Sequence, residues 1–135
     1  MPYPAAYVEK HKKTIEADRQ IERAKSLAYR CMHLDSADAK EQQRESMNTC
    51  ISLINMLVTG PIPIPIASSG SECGATLFFQ DDHVYGDLEI NGNLVEYYLK
   101  EKTDDGFREV FDSESVTDGF IPPRLLGHLF AIYAK

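Results

Sequence analysis

The segment Val84–Lys100, VYGDLEINGNLVEYYLK, decides how this chain folds. Acidic and apolar residues alternate from Asp87 to Ile90, which is the pattern of a strand with one buried face. Asn91-Gly92 follows, and this dipeptide is the strongest short hairpin signal in the chain. The returning strand runs from Leu94 to Lys102, with one tyrosine ring of Tyr97-Tyr98 on each of its faces. The segment therefore predicts a β-hairpin.

Two further strands flank this hairpin. Ala75–Gln80 precedes it through the turn Asp81-Asp82-His83, and Phe107–Phe111 follows it through the turn Asp104-Asp105-Gly106. Regular turns at close spacing predict an antiparallel meander of four strands. We expect the buried face of this sheet to be covered by helices.

Two helices are predicted ahead of the sheet. Apolar residues at spacings of three and four predict one helix from about Ala5 to His33 and another from about Ala37 to Val58. Gly60-Pro61 ends the second helix, because glycine adopts the closing conformation and proline cannot continue a helix. A last helix begins at Ile121-Pro122-Pro123 and is apolar on most sides. The predicted class is α+β: an antiparallel helical hairpin on a four-stranded meander, with a C-terminal helix.

The sequence indicates one domain, residues 1–135, in three parts. The helical hairpin takes residues 1–59, a Pro-rich extended segment and the sheet take residues 60–120, and the C-terminal helix takes residues 121–135. Pro61–Ile66 alternates proline with isoleucine, so it is expected to be extended, either polyproline-like or along a sheet edge. Ala67–Gly74 is rich in serine and glycine and is expected to be a loop.

Charge is unevenly placed along the chain. The formal net charge is −7. Residues 1–59 hold nine Lys/Arg and eight Asp/Glu, whereas residues 60–135 hold five against thirteen. An acidic surface disfavours binding to nucleic acid or anionic membrane, so we expect neither as a direct partner. It favours a basic protein partner.

The leading hypothesis is therefore a non-enzymatic protein-binding module of the inhibitor, immunity or antitoxin type. The acidic turns and loops of the sheet half are its predicted contacts with the partner. These contacts are Asp81, Asp82, Asp104, Asp105, Asp112, Glu114 and Asp118.

Two alternatives come from other classes. A chaperone-like or structural homodimer would use the apolar face of the last helix, and its predicted interface is Leu125, Leu126, Leu129, Phe130 and Tyr133. A small cysteine hydrolase would use Cys73, in a Ser/Gly-rich loop, with His83 or His128 as its base.

No cofactor or metal is expected from the motifs. The chain has no P-loop, no dinucleotide fingerprint and no zinc-ligand spacing. Asp81-Asp82-His83 could suggest a metal site, but aspartate favours the hairpin turn expected there.

The compartment is predicted to be the cytoplasm. Three widely spaced cysteines do not make a disulfide framework. The first residues do not have the pattern of a signal peptide, and no apolar stretch has the length of a membrane span.

The stretches PIPIPI, GATLFF and DLEINGNLVEYYL together resemble a pattern in small uncharacterised bacterial and phage proteins. In those proteins a helical N-terminus precedes a short antiparallel sheet. Their commoner version carries a tryptophan at the end of the first strand, and this chain has none. The resemblance implies a fold and a bacterial or phage context, and it implies no activity.

Overall fold

The computed structural model describes residues 4–29, 37–70, 74–116 and 121–134. The class is α+β, as predicted, and the strands form one antiparallel sheet in the order β1-β2-β3-β4-β5. None of the described helices is both long enough and apolar enough to cross a bilayer. The elements are α1 (Ala5–Tyr29), α2 (Ala37–Met56), β1 (Ile66–Ser69), β2 (Ala75–Gln80), β3 (Val84–Asn91), β4 (Leu94–Thr103), β5 (Gly106–Ser115) and α3 (Pro123–Tyr133).

The sheet has five strands, so the predicted count of four was wrong by one. The additional strand is β1: its first residue, Ile66, ends the segment that was expected to be extended, and its other three residues lie where a loop was expected. It begins immediately after Pro65, the last proline of the Pro-Ile run, so every residue of β1 keeps its backbone N–H. Ile66 and Ser68 lie opposite Phe78 and Thr76 of β2. The last strand was predicted to end at Phe111, but β5 continues to Ser115.

The sheet separates two faces, and all three helices lie on one of them, which we call the inner face. Leu77, Leu88 and Ile90 are buried there, and Val110 is partly buried against the same core. Helix α3 reaches the inner face through ring contacts of Tyr133 with Phe79. Helices α1 and α2 add Ala17, Ile21, Cys50, Leu53 and Ile54 to the same core.

Helix α2 holds the predicted hairpin in place. Gly92 adopts φ +62°, in the left-handed region that such a tight turn requires. Its N–H donates to the Ser46 hydroxyl at 2.7 Å, and its carbonyl accepts from the Thr49 hydroxyl at 3.0 Å. Both hydroxyl side chains are buried, so these bonds fix the β3–β4 turn against the helix.

Helix α1 covers the edge of the sheet at β1. The N–H of Ala67 donates to the side-chain oxygen of Gln20 at 2.8 Å, and its carbonyl accepts from Arg23 Nε at 2.6 Å. Gln20 is itself held by Glu16, which accepts from its amide nitrogen at 2.9 Å. Side chains of a helix thus bond to backbone groups that a further strand would otherwise pair with.

Candidate functional site

The opposite face of the sheet, here called the outer face, carries a row of aromatic rings. No helix within the described ranges packs on it. Neighbouring ring centroids are 6.4 Å apart for Phe78 and Tyr85, 6.1 Å for Tyr85 and Tyr98, and 4.5 Å for Tyr98 and Phe111. This aromatic row crosses from β2 to β5. It ends at Phe111, whose side chain is 75% exposed.

Acidic side chains lie beside the aromatic row. Glu89 of β3 is directly opposite Glu96 of β4, and both are exposed. Like charges directly opposite each other destabilise a sheet. In the same cross-strand row their outer neighbours are Thr76 and Ser113, which carry no charge to offset the repulsion. We call Glu89 and Glu96 the acid pair.

Asp87 joins the acid pair and the aromatic row into one surface. It is opposite Tyr98 on β4 and Phe78 on β2. Together with the acid pair, Tyr98 and Phe111, it lines a shallow trough of about 610 Å³. The trough therefore combines three carboxylates with the faces of aromatic rings.

The tyrosine hydroxyls of the row are tied to acids. Tyr98 donates to Glu109 at 3.0 Å. Desolvation raises the pKa of Tyr98, and its hydrogen bond to Glu109 raises it further. The pKa of Tyr85 is raised by desolvation and then by the charge of Asp87. Both phenols therefore keep their protons to a higher pH than an exposed tyrosine does.

Near the β4–β5 turn, the outer face contains a cation–π contact within the chain itself. The ammonium of Lys100 lies 4.1 Å from the ring centroid of Phe107, whose side chain is 60% exposed. A cation over an aromatic face is held by the negative potential of the ring. The aromatic side chains of this face are thus accessible to cations.

Strand β5 is the free edge of the sheet beside this surface. The N–H of Val116 donates to the carbonyl of Asn93 at 2.7 Å, so the even-numbered residues of β5 bond toward β4. The odd-numbered residues therefore direct their N–H and carbonyl groups outward. At Ser113 these groups bond to the side chains of Asp112 and Arg124.

Farther along β5, at Phe107, Glu109 and Phe111, the outward backbone groups have no partner among the described residues. The side chains of these three residues point to the outer face. An unpaired strand edge therefore borders the acidic and aromatic surface.

The predicted acids of the turns lie together at one end of the sheet. The β2–β3 turn with Asp81 and Asp82 and the β4–β5 turn with Asp104 and Asp105 are at the same end. Asp81 is engaged locally, because its carboxylate accepts from the N–H groups of His83 at 2.7 Å and Val84 at 2.9 Å. The other three are exposed.

Two other predicted contacts, Asp112 and Glu114, hold helix α3 on the inner face. Glu114 accepts from the Leu125 N–H at 2.8 Å and from the Tyr97 hydroxyl at 2.7 Å. The first of these bonds satisfies a backbone N–H in the first turn of α3, which has no partner within the helix. Asp112 pairs with Arg124 at 2.8 Å, and that hydrogen bond lowers the pKa of its carboxyl. Asp118, the last of the predicted contacts, lies outside the described residues.

The residues predicted for a dimer interface fall into two groups. Leu125 and Leu129 are buried in the core of their own chain, at 0% and 1% exposure. Leu126 and Tyr133 are half-buried, and Phe130 is exposed. Only the second group offers surface to another molecule.

The residues of the hydrolase hypothesis are not assembled in the described structure. Cys73 lies outside the described residues, so its role stays a prediction. His83 is in an exposed turn, and His128 lies against the Tyr97 ring with centroids 6.4 Å apart. Burial raises the pKa of the Cys50 thiol to about 12. Within the described ranges, no three His, Cys, Asp or Glu side chains converge as metal ligands do.

Sequence reasoning missed the residues of the trough. Asp87 and Glu89 were interpreted only as the solvent side of a strand. The hairpin register decides which residues meet: the two turn residues are Gly92 and Asn93, and this places Glu89 opposite Glu96. A two-residue turn at Asn91-Gly92, which the sequence signal favours, would instead place Glu89 opposite Leu94, so the acid pair was not predictable from that signal.

Comparison of the chain with known protein families, with curated proteins and with solved structures finds no match.

Proposed function

We propose that this protein is a non-enzymatic binding module whose outer face binds a basic protein partner. The observation that carries the proposal is the acid pair on an uncovered face. Two glutamates that repel each other cost stability in the free protein. A Lys or Arg side chain of a partner placed between them would remove that cost.

The aromatic row supports the same partner chemistry. Arginine and lysine bind to aromatic faces as well as to carboxylates. Aromatic side chains also supply most of the buried area in the centre of protein interfaces. The trough offers both features within one contiguous surface, as a binding site for a basic protein requires.

The partner would be a protein whose own function depends on a basic surface, such as a nucleic-acid-binding enzyme. The module then acts as an inhibitor, immunity protein or antitoxin in a bacterial or phage cytoplasm. The charge of the sheet half supports this role, and the resemblance of its strands to bacterial and phage proteins bears on the context alone. Occupying the basic surface would exclude its ordinary ligand.

The test compares two triple variants with the same change in net charge. The first is Asp87→Asn, Glu89→Gln and Glu96→Gln on the outer face. The second, a control, is Asp18→Asn, Glu22→Gln and Glu41→Gln, whose side chains are exposed on α1 and α2. Tagged proteins are used to capture partners from a lysate of the organism that carries the gene. The captured protein is identified, purified and titrated against each variant.

We expect the outer-face variant to lose at least about tenfold in affinity and the control to lose much less. A third variant, Asp82→Asn, Asp104→Asn and Asp105→Asn, tests the turn acids in the same way. Equal affinity of the outer-face variant and the control would show that charge in general, and not this face, governs binding. A larger loss in the turn variant would move the site to the turn end of the sheet.

A further inference from the structure

The proposed binding module has a strand beside its acidic surface, β5, that is paired on one side only. This free edge indicates in which conformation and orientation the partner binds. The outward N–H and carbonyl groups of Phe107, Glu109 and Phe111 have no partner in the described structure. Their side chains lie on the outer face. A strand that pairs with these groups therefore also places alternate side chains on the outer face.

Natural sheets rarely leave a long edge open. Strand β5 has ten residues and no proline, and its two phenylalanines are among the most exposed large apolar side chains of the described chain. The opposite edge, β1, is covered by α1 side chains. The contrast singles out β5 as the edge that remains available for strand addition.

Charge decides which strand fits this edge. Strand β5 carries Glu109, Asp112 and Glu114 but only one basic residue, Arg108. Arg108 is already paired with Glu101 at 3.0 Å. Pairing β5 with a second copy of itself would bring two acidic strands together, which like-charge repulsion opposes. A basic strand would instead be attracted by Glu109 on β5 and by the three carboxylates of the neighbouring trough.

We infer that the partner docks an extended, Arg/Lys-rich segment as a sixth strand, antiparallel to β5. This inference rests on the proposed function and specifies how the basic partner binds. An antiparallel sixth strand would continue the pattern of the sheet, in which all neighbouring strands are antiparallel. In that arrangement the partner residues that bond to Phe107, Glu109 and Phe111 direct their side chains to the outer face. Basic side chains at those positions would lie beside Phe111 and Glu109.

The probe is a labelled decapeptide of alternating Arg and Thr, acetylated and amidated at its ends. Two matched forms carry N-methyl groups, one on the Arg amides and the other on the Thr amides. Both keep the full charge, but each blocks hydrogen bonding along one edge of the peptide. We expect the Arg-methylated form to bind about tenfold or more weakly than the unmodified peptide, and the Thr-methylated form to bind nearly as well.

A matched pair of variants tests the same hydrogen bonds by changing the protein instead of the peptide. Glu109→Pro and Glu109→Ala both remove the carboxylate, but only proline removes the outward N–H and places a ring on the edge. We expect Glu109→Pro to bind the unmodified peptide about tenfold more weakly than Glu109→Ala. Circular dichroism and urea unfolding show whether the two variants remain equally folded. If Glu109→Pro does not fold, the methylated peptides on the unaltered protein decide alone.

The outcomes separate this inference from the proposed function. Equal binding of all three peptides, lost when Asp87, Glu89 and Glu96 are neutralised, would overturn strand addition and leave the acidic binding face standing. Failure of the unmodified peptide to bind would also overturn strand addition, while the partner titrations decide the proposed function separately. A dimer in solution that Glu109→Pro dissolves would assign the edge to a second copy and overturn the basic partner strand.

Discussion

The two edges of the sheet are built in opposite ways. At β1 the outward groups of Ala67 bond to Gln20 and Arg23 of a helix that lies alongside. At β5 the outward groups of Ser113 are covered in this way, whereas those of Phe107, Glu109 and Phe111 have no partner among the described residues. A sheet edge that remains open in a folded protein carries a risk of uncontrolled pairing. This protein therefore covers β1, the edge strand that has no acidic side chain, and leaves the acidic edge strand β5 accessible.

The largest expected effect comes from proline on the two sides of β5. Val110 directs its N–H toward Leu99, so Val110→Pro removes a ladder bond and should destabilise the protein by about 3 kcal/mol or more. Glu109→Pro removes only an outward N–H and should cost much less. Urea unfolding of both variants checks the difference. Equal losses would mean that the open backbone groups of β5 are assigned to the wrong residues.

The next effect comes from uncovering the edge at β1. Gln20→Ala leaves the buried N–H of Ala67 without an acceptor, and we expect a loss of about 1–3 kcal/mol in the free energy of unfolding. Lys25→Ala, at an exposed position of the same helix, should change it by less than about 0.5 kcal/mol. Amide hydrogen exchange at Ala67 provides a local measurement. Unchanged protection at Ala67 in Gln20→Ala would refute the role of α1 as an edge cover.

A smaller effect, of opposite sign, is expected at the acid pair. Glu89→Lys replaces a repulsive cross-strand pair by an attractive one and should stabilise the protein by about 0.2–1 kcal/mol. It should also weaken binding of the basic partner, since stability at a binding surface is often gained at the cost of function. Asp18→Lys, on the exposed side of α1, is the control with the same charge change. Destabilisation by Glu89→Lys would show that Glu89 and Glu96 do not repel each other in the folded protein.

The smallest effect concerns Ser113, whose outward backbone groups are covered. Arg124 bonds to Asp112 and to the Ser113 carbonyl, and the pKa of Asp112 is lowered in the folded protein. A lowered carboxyl pKa contributes stability above the unfolded value, and that contribution is lost as the pH falls through the folded value. Arg124→Gln should therefore raise the Asp112 pKa, which a carboxyl-detected NMR titration measures. The stability difference between the two proteins should shrink in acid, and an unchanged pKa would contradict the pairing.

Local patterns sufficed for the hairpin because its signals are local. The alternation before Asn91-Gly92 and the turn chemistry there both act within a few residues. Strand β1 was missed because its serines favour a loop and its cover comes from Gln20, 47 residues away along the chain. The class and the element order were predictable, whereas the edge strand depended on tertiary contacts.

The candidate site was less predictable than the fold. The acidic residues could be counted from the sequence, but the sequence did not show which of them lie on the inner face of the sheet and which on the outer face. Glu114 carries the same charge as Glu96, yet it bonds to the start of α3 while Glu96 faces solvent. Only the register of the strands and the position of α3 separate an acid that holds the structure together from one that is free to bind.

The cover of β1 also has a consequence for the order of folding. The hairpins of the sheet join neighbours in sequence, whereas the contact of Gln20 with Ala67 closes a loop of 47 residues. Long-range contacts form later than local ones, because closing a large loop costs conformational entropy before the contact adds any stabilising free energy. We expect pulse-labelling exchange during refolding to protect the Lys102 amide, which donates to the His83 carbonyl at 2.8 Å within the β3–β4 hairpin, before that of Ala67. Until α1 docks, a newly made chain would expose both edges, and its acidic sheet half would be what keeps such chains apart.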